Sequence, residues 1–377
     1  MNYELTDEQE LLRRTVRDFA ESRVAPLAEE LDREERFPYE LVSELAELGL
    51  MGIPIPEEYG GAGADTVSYA IAIEELTRID SSVAITVAAH TSLGTMPIYL
   101  FGDEAQKQEW LPSLASGERL AAFGLTEANA GSDAGATLTR AELRDGEWHV
   151  DGSKIFITNA GTDITACVTV TALTAEDEIS NVIVPNGTPG YEISAPMRKL
   201  GWHASDTREL SFKDCVVPEG NLLGPRGQGF HQFMQVLDGG RISVAAMGVG
   251  LAQGAYDLAF AYAKQREQFG RPIAKFQAVQ FALADMATEI EAGRQLVYRA
   301  AWLKDQGKDF GLAAAQAKLY TGILSNRAAN ASLQIHGGYG FMEEYAISRL
   351  FRDQKILEIG EGTNEVQRMV IAKLLGL

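Results

Sequence analysis

The sequence predicts a multidomain α and β protein in which helices come first, a β domain follows and helices return. Three observations point to this. Apolar residues recur at helical spacing up to about residue 119. From residue 120 the pattern turns to strict alternation, as in "TLTRAELRDGEWHVDGSKIFITN". After "GNLLGPRGQGF" the chain is rich in alanine, leucine and charge, and proline vanishes beyond Pro272. A chain of 377 residues is too long for one simple core. The expected division is a helical domain over 1–119, a β domain over 120–225 and a second helical domain over 226–377.

The elements follow in order. Thr6 and Gln9 read as a capping box, with Leu12, Val16, Phe19 and Ala20 at helical spacing behind them. Pro38 suits a first helical turn and Gly49 the end of that helix. "EEYGGAGAD" is loop, "VSYAIAIEELTRI" is helix, and Asp103 with Gln106 opens another helix with a capping pair. Asp145-Gly146 is a hairpin turn signal, and "ACVTVTAL", "NVIVP", "YEIS" and "ELSFKDCVVP" are strands.

Formal net charge is −20 and the pI is about 4.7. Such a surface repels DNA and anionic lipid, so no nucleic-acid partner is expected, and any anionic ligand needs a local basic or helix-terminal site. No apolar run is expected to reach the ~18 residues of a membrane helix, so no membrane insertion is expected. The opening "MNYELTDEQE" lacks the basic and apolar regions of a signal peptide. Cys167 and Cys215 form no CxxC pair and read as reduced residues of a cytoplasmic protein.

Several chemistries find no support. There is no HExxH, no paired CxxC, and the five histidines are scattered, so no metal is expected. "AGSDAG" is not a GxSxG elbow, and "GPRGQG" lacks the Lys-Ser/Thr of a P-loop. "GVGLAQG" at 248–254 has its third glycine misplaced for a dinucleotide fingerprint and fits close helix packing better. His336 reads as a packed or capping residue.

What remains is a series of polar and glycine-rich turns: "FGLTEANAGSDAG", "KIFITN", "LGWHASDTREL", "REQFG", "FQAVQFALADM", "QIHGGYGF" and "EGTNEVQR". Each alone is weak. Together, in this order and across essentially the whole chain, they resemble the acyl-CoA dehydrogenase family. The resemblance implies an N-terminal helical domain, a middle antiparallel β domain and a C-terminal four-helix bundle. It implies FAD held without a Rossmann domain, a homotetramer built as a dimer of dimers, and oxidation of an acyl-CoA thioester to the trans-2-enoyl-CoA. Electrons would pass to an electron-transfer flavoprotein.

It also implies site residues. Phe123, Leu125, Thr126 and Ser132 match positions at the flavin and its diphosphate. Phe156 matches the residue stacked on the isoalloxazine, and Thr158 one near its N5. Arg266, Gln268, Phe276 and Gln277 match a segment reaching FAD across a subunit interface, and Gln334 to Gly338 the turn that meets the same FAD. Thr363 and Glu365 match residues near the adenosine. Ser132, Asp238, Arg241 and Gly362 match contacts to the CoA substrate. On residue pattern alone, Phe123 and Leu125 equally read as β-domain core and Arg266 as a surface ion pair.

Glu361, in "IGEGTNE", matches the family's catalytic base. Removing a proton alpha to a thioester needs a carboxylate that is dry and well aimed. Gly360 and Gly362 would free the backbone to turn there, and a helix should restart at Thr363 or Asn364 with Val366, Met369, Val370 and Leu374 on one stripe. The helix terminus and Arg241 should lower the Glu361 pKa, so desolvation must outweigh both. Some family members carry the base just before the arginine of the first long C-terminal helix; here that position is Gly240. Many have tyrosine where this chain has Gly360, which leaves extra space beside the thioester. Met96 and Tyr99 are expected to limit the acyl pocket. Within the same fold a flavin oxidase or monooxygenase is the runner-up, and a non-catalytic CoA- or partner-binding scaffold is the third reading.

Overall fold

The computed structural model describes residues 4–377. The first part holds helices α1 (Asp7–Phe19), α2 (Ala28–Glu34), α3 (Tyr39–Glu47), α4 (Thr66–Ile79), α5 (Ser81–Ala88), α6 (Met96–Phe101) and α7 (Glu104–Ala115). The reciprocal capping pairs form as expected: Thr6 with Gln9 opens α1, and Asp103 with Gln106 opens α7. Pro38 stands one residue before α3, and Gly49, just past its end, takes a left-handed φ of 71°. Between α5 and α6 the chain forms a π-helical segment, Ala89–Thr95. Ser81–Phe101 and Gly229–Gln265 are both long and apolar enough to match a membrane span, which corrects the expectation that no run would be; 78 % and 67 % of the two windows are buried within the protein. Serine, threonine and histidine break the first run to the eye without adding charge.

The middle part is a seven-stranded sheet: β1 (Leu120–Gly124), β2 (Arg140–Arg144), β3 (Glu147–Thr158), β4 (Thr165–Ala175), β5 (Glu178–Pro185), β6 (Tyr191–Ile193) and β7 (Thr207–Pro218). The order is β1-β4-β2-β3-β7-β6, with β5 pairing β4. Most pairs are antiparallel, but β1 lies parallel to β4 and β2 meets β4 in parallel at one step, so the sheet is mixed. Asp145 and Gly146 join β2 to β3 with φ of 51° and 84°, the two left-handed residues of a tight hairpin.

The last part holds α8 (Gly229–Gln265), the short hairpin β8 (Glu267–Gln268) and β9 (Arg271–Pro272), then α9 (Gln277–Asp305), α10 (Gly311–His336), α11 (Ala346–Asp353) and α12 (Asn364–Leu374). The glycines of "GVGLAQG" pack helices: a Cβ at Gly248 would meet Thr321 of α10, and one at Gly250 or Gly254 would collide with the Glu74 or Arg78 carbonyl of α4. One continuous core therefore runs through the N- and C-terminal helices, while the sheet has its own around Trp148, Val150, Val170 and Phe212. Asp353 joins all three parts, accepting from the Trp202 amide (2.7 Å) and the Ser81 hydroxyl (2.7 Å).

Candidate active site

Glu361 lies in the turn between a 3-10 segment, Gln354–Glu358, and α12. Its φ is 51°, and that of Gly362 is 94°. The backbone therefore demands glycine at 362, where a Cβ would also meet Gln367 Nε2 at 2.8 Å. Gly360 is different. Its φ is not left-handed, and a Cβ there would lie 3.4 Å from the Ile356 carbonyl, an ordinary contact. The expected role of two glycines is thus corrected: the left-handed steps fall on Glu361 itself and on Gly362. A non-glycine residue held in that region is strained and must be clamped. Gln367 Nε2 donates to the Glu361 and Gly362 carbonyls, each at 3.1 Å, and Lys318 Nζ donates to the Gly362 carbonyl at 2.6 Å. Thr363 caps α12 by accepting from the Val366 amide.

The carboxyl of Glu361 turns inward against α8. A Cβ on Gly240 would sit 2.2 Å from Oε2, so the missing side chain at 240 is the space the carboxyl occupies. Oε2 is fully occluded and has no hydrogen-bond partner. Burial pushes the Glu361 pKa up to about 7, against the pull of Lys318 and Arg241. Arg241 is buried and paired to Asp238 on the preceding turn of α8. Desolvation by the fold alone thus outweighs both cations. Sequence reasoning missed Lys318, which reads as a surface lysine. The signal was its place, four residues after Ala314 and four before Gly322, on the small-residue face of α10.

Gly239 and Asp238, the residues before Gly240, line a cavity of about 360 Å³ with Tyr69, Ser92, Met96 and Lys304. Met96 lines this cavity. Tyr99 does not: its ring packs edge-on to Tyr59 (6.2 Å) with Lys107 over it, because the helical phase after the π segment points it toward α7.

The middle-domain residues gather on one end of the sheet. Phe156 has φ 63° and is 61 % exposed, at a bulge where the β3–β7 register slips between Lys154 and Ile157. A bulge re-aims a side chain, here setting a flat aromatic into the open. Thr158, half-buried, pairs with Thr207. Leu125 and Thr126 are half-buried beside it, with the Ile155 amide donating to the Thr126 carbonyl at 2.8 Å. Ser132 is exposed. Phe123 is buried and stacks on Phe233 of α8 (6.2 Å), so its ring serves as core. A buried pair overlooked in the sequence supports this edge. Lys154 Nζ donates to Glu127 Oε1 (2.7 Å) and to the Leu125 carbonyl (3.1 Å), and Glu127 accepts from the Leu138 and Thr139 amides.

A third group lies around the β8–β9 hairpin. The Arg266 guanidinium sits 5.3 Å from the centre of the Tyr339 ring, and with Gln268 and Gly338 lines a cavity of about 530 Å³. Gln268, Phe276 and Gln334 line a neighbouring one of about 540 Å³. Gln277 is the exposed first residue of α9. Neither cavity shares a lining residue with the Glu361 turn or the sheet edge. Thr363 and Glu365 stay with the Glu361 turn, Glu365 exposed and paired to Arg368 at 3.4 Å. His336 is packed as expected, stacked on Tyr262 with Nδ1–H donating to the Ser332 carbonyl.

Three features stand out: a glutamate whose Oε2 is occluded against α8, an aromatic bared at the sheet edge, and an arginine beside a glycine-rich turn. The chain belongs to the acyl-CoA dehydrogenase family. The family's N-terminal domain matches residues 6–118, its middle domain 122–215 and its C-terminal domain 227–376. It is 52 % identical to a probable acyl-CoA dehydrogenase, YngJ, of Bacillus subtilis, over all of both chains. Its fold is similar to that of butyryl-CoA dehydrogenase from Megasphaera elsdenii, at 45 % identity and a TM-score of 0.97 over all of both chains. It is also similar to an acyl-CoA dehydrogenase from Bacillus anthracis complexed with FAD, at 36 % identity and a TM-score of 0.94, covering 99 % of this chain and 67 % of that one. It is an oxidoreductase acting on acyl-CoA.

Proposed function

We propose that the protein is an FAD-dependent acyl-CoA dehydrogenase for short, straight acyl chains, with Glu361 as the base that removes the alpha proton. The carrying observation is geometric: Glu361 Oε2 is occluded in the space that Gly240 leaves and has no hydrogen-bond partner, and burial pushes the carboxyl pKa up to about 7. Such a group is ionised above neutral pH yet a far stronger base than an exposed glutamate.

The residues present fit FAD. Phe156 offers an open aromatic face, Thr158, Thr126 and Leu125 border it, and Ser132 extends the edge toward a diphosphate. These residues would hold FAD, whose flavin would supply the acceptor for a hydride from the beta carbon. Arg266, Gln268, Phe276, Gln277, Gln334 and Gly338 would hold the FAD of a neighbouring subunit, which accounts for their separation from Glu361 in one chain. The exposed Phe269 (94 %) and Phe341 (79 %) beside them support a homotetrameric assembly that covers this face. Thr363 and Glu365 complete the cofactor contacts from the Glu361 turn.

On the substrate side, Asp238, Arg241, Ser132 and Gly362 would contact the CoA substrate. Glu361 takes the alpha proton onto its carboxylate while its own backbone N–H helps polarise the thioester oxygen, so that charge developing there meets a fixed donor. Electron-transfer flavoprotein is the proposed acceptor. The test is anaerobic bleaching of the flavin by butyryl-CoA. Glu361→Gln should stay yellow and FAD-loaded yet fail to bleach; near-normal bleaching in that variant refutes the assignment.

A further inference from the structure

The geometry points to Lys318 as a positioning residue of the reaction: its bond to the Gly362 carbonyl holds a fully buried ammonium against the turn that carries Glu361. This rests on Glu361 being the base.

Lys318 is 0 % exposed, in α10, on a face otherwise made of Ala314, Ala317, Thr321 and Gly322. Burying an ammonium is costly unless it is paired. Yet Nζ makes no ion pair within 4 Å among the described residues, and its hydrogen bond goes to a neutral carbonyl. That carbonyl already accepts from Gln367 Nε2. A methionine would fill the same space without the desolvation cost, so holding the turn is not reason enough for a charge here.

The charged surroundings supply the reason. From α8, Arg241 faces the carboxyl, but its charge is offset by Asp238. From α4, Tyr69 faces it as a neutral phenol, its pKa driven up by burial. Glu358 and Glu365 lie farther along the chain and have partners of their own, Lys355 and Arg368. Of the two cations that act on Glu361, Lys318 is the one with no carboxylate paired to it. Burial pushes the Lys318 pKa down to about 8, with Glu361 holding it up, so the ammonium persists through neutral pH. When the alpha C–H bond breaks, the proton passes to the Glu361 carboxylate and its electron pair stays with the substrate. Lys318 acts before that step, by setting how much of the base is ionised.

The experiment compares wild-type holoenzyme with Lys318→Met and Lys318→Gln, each checked for FAD content and melting temperature. Two readouts are taken: the pH dependence of flavin bleaching by butyryl-CoA, and infrared titration of the carboxyl band that disappears in Glu361→Gln. Loss of one nearby charge should raise the acid midpoint of both by about one pH unit, with KM changed less than about threefold. Lys318→Gln should match Lys318→Met, since charge rather than donor is the agent. Unmoved midpoints in an FAD-loaded variant overturn the proposal, as does failure of both variants to fold, which would make Lys318 part of the scaffold. If instead Glu361→Gln bleaches normally, it is the identity of the base that fails, and the infrared titration still reports on Lys318.

Discussion

Glu361→Gln should alter stability in a pH-dependent way as well as abolish turnover. The carboxyl is raised from an ordinary 4.5 to about 7 in the folded protein. Between those values the folded state holds a proton that the unfolded chain releases, so stability falls as pH rises. Below pH 4.5 both states are protonated and the penalty is absent; above pH 7 it is complete. At about 1.4 kcal/mol per pH unit the full penalty is about 3 kcal/mol. With an unfolding entropy of about 2 cal/mol/K per residue, that amounts to about 4 °C in melting temperature for a chain of this length. Glutamine does not titrate. Calorimetric scans of the two FAD-loaded proteins at one scan rate should therefore show the melting-temperature difference moving by about 4 °C in favour of Glu361→Gln between pH 4.5 and pH 8. A difference that stays constant with pH, or moves the other way, would mean that the carboxyl is solvated and the account of its basicity is wrong.

Three further outcomes are expected. Gly240→Ala places a methyl where the Glu361 carboxyl lies; flavin bleaching by butyryl-CoA in stopped flow should slow by at least about a hundredfold while FAD is retained. Gly360→Ala meets nothing closer than 3.4 Å and no left-handed backbone, so equilibrium unfolding should show it neutral or stabilising by about 0.5 kcal/mol, with branched acyl-CoAs losing more rate than straight ones. Lys154→Met strands the buried Glu127 carboxylate and should cost about 3–5 kcal/mol in denaturant unfolding, with FAD lost earlier in the titration than in wild type.

Local signals were legible because their physics is local. The Thr6–Gln9 and Asp103–Gln106 boxes, the Asp145-Gly146 hairpin and the Thr363 cap each join residues at most three apart. The packing glycines of α8 were legible too, by failing as a nucleotide fingerprint. Features made by tertiary contact were not. Lys318 meets Gly362 across 44 residues and Lys154 meets Glu127 across 27, and nothing adjacent to either lysine distinguishes it from a surface residue. The left-handed φ of Glu361 was also hidden, since flanking glycines invite the strain to be assigned to them. Tyr99 was misplaced because a π segment shifts the helical phase before it, and the parallel β1–β4 pairing has no signature in alternation alone.

The glycines at 248, 250 and 254 have a mechanical consequence. They wedge α8 between α4 and α10 at near-touching backbone distance, leaving it no freedom to slide. Near one end of this helix stand Asp238 and Gly240, the latter against the Glu361 carboxyl; just past the other stands Arg266. At about 1.5 Å per residue the rod is some 55 Å long. A pull on one end cannot be absorbed by slippage in the middle: the helix is a ruler of fixed length between the Glu361 turn and the β8–β9 hairpin.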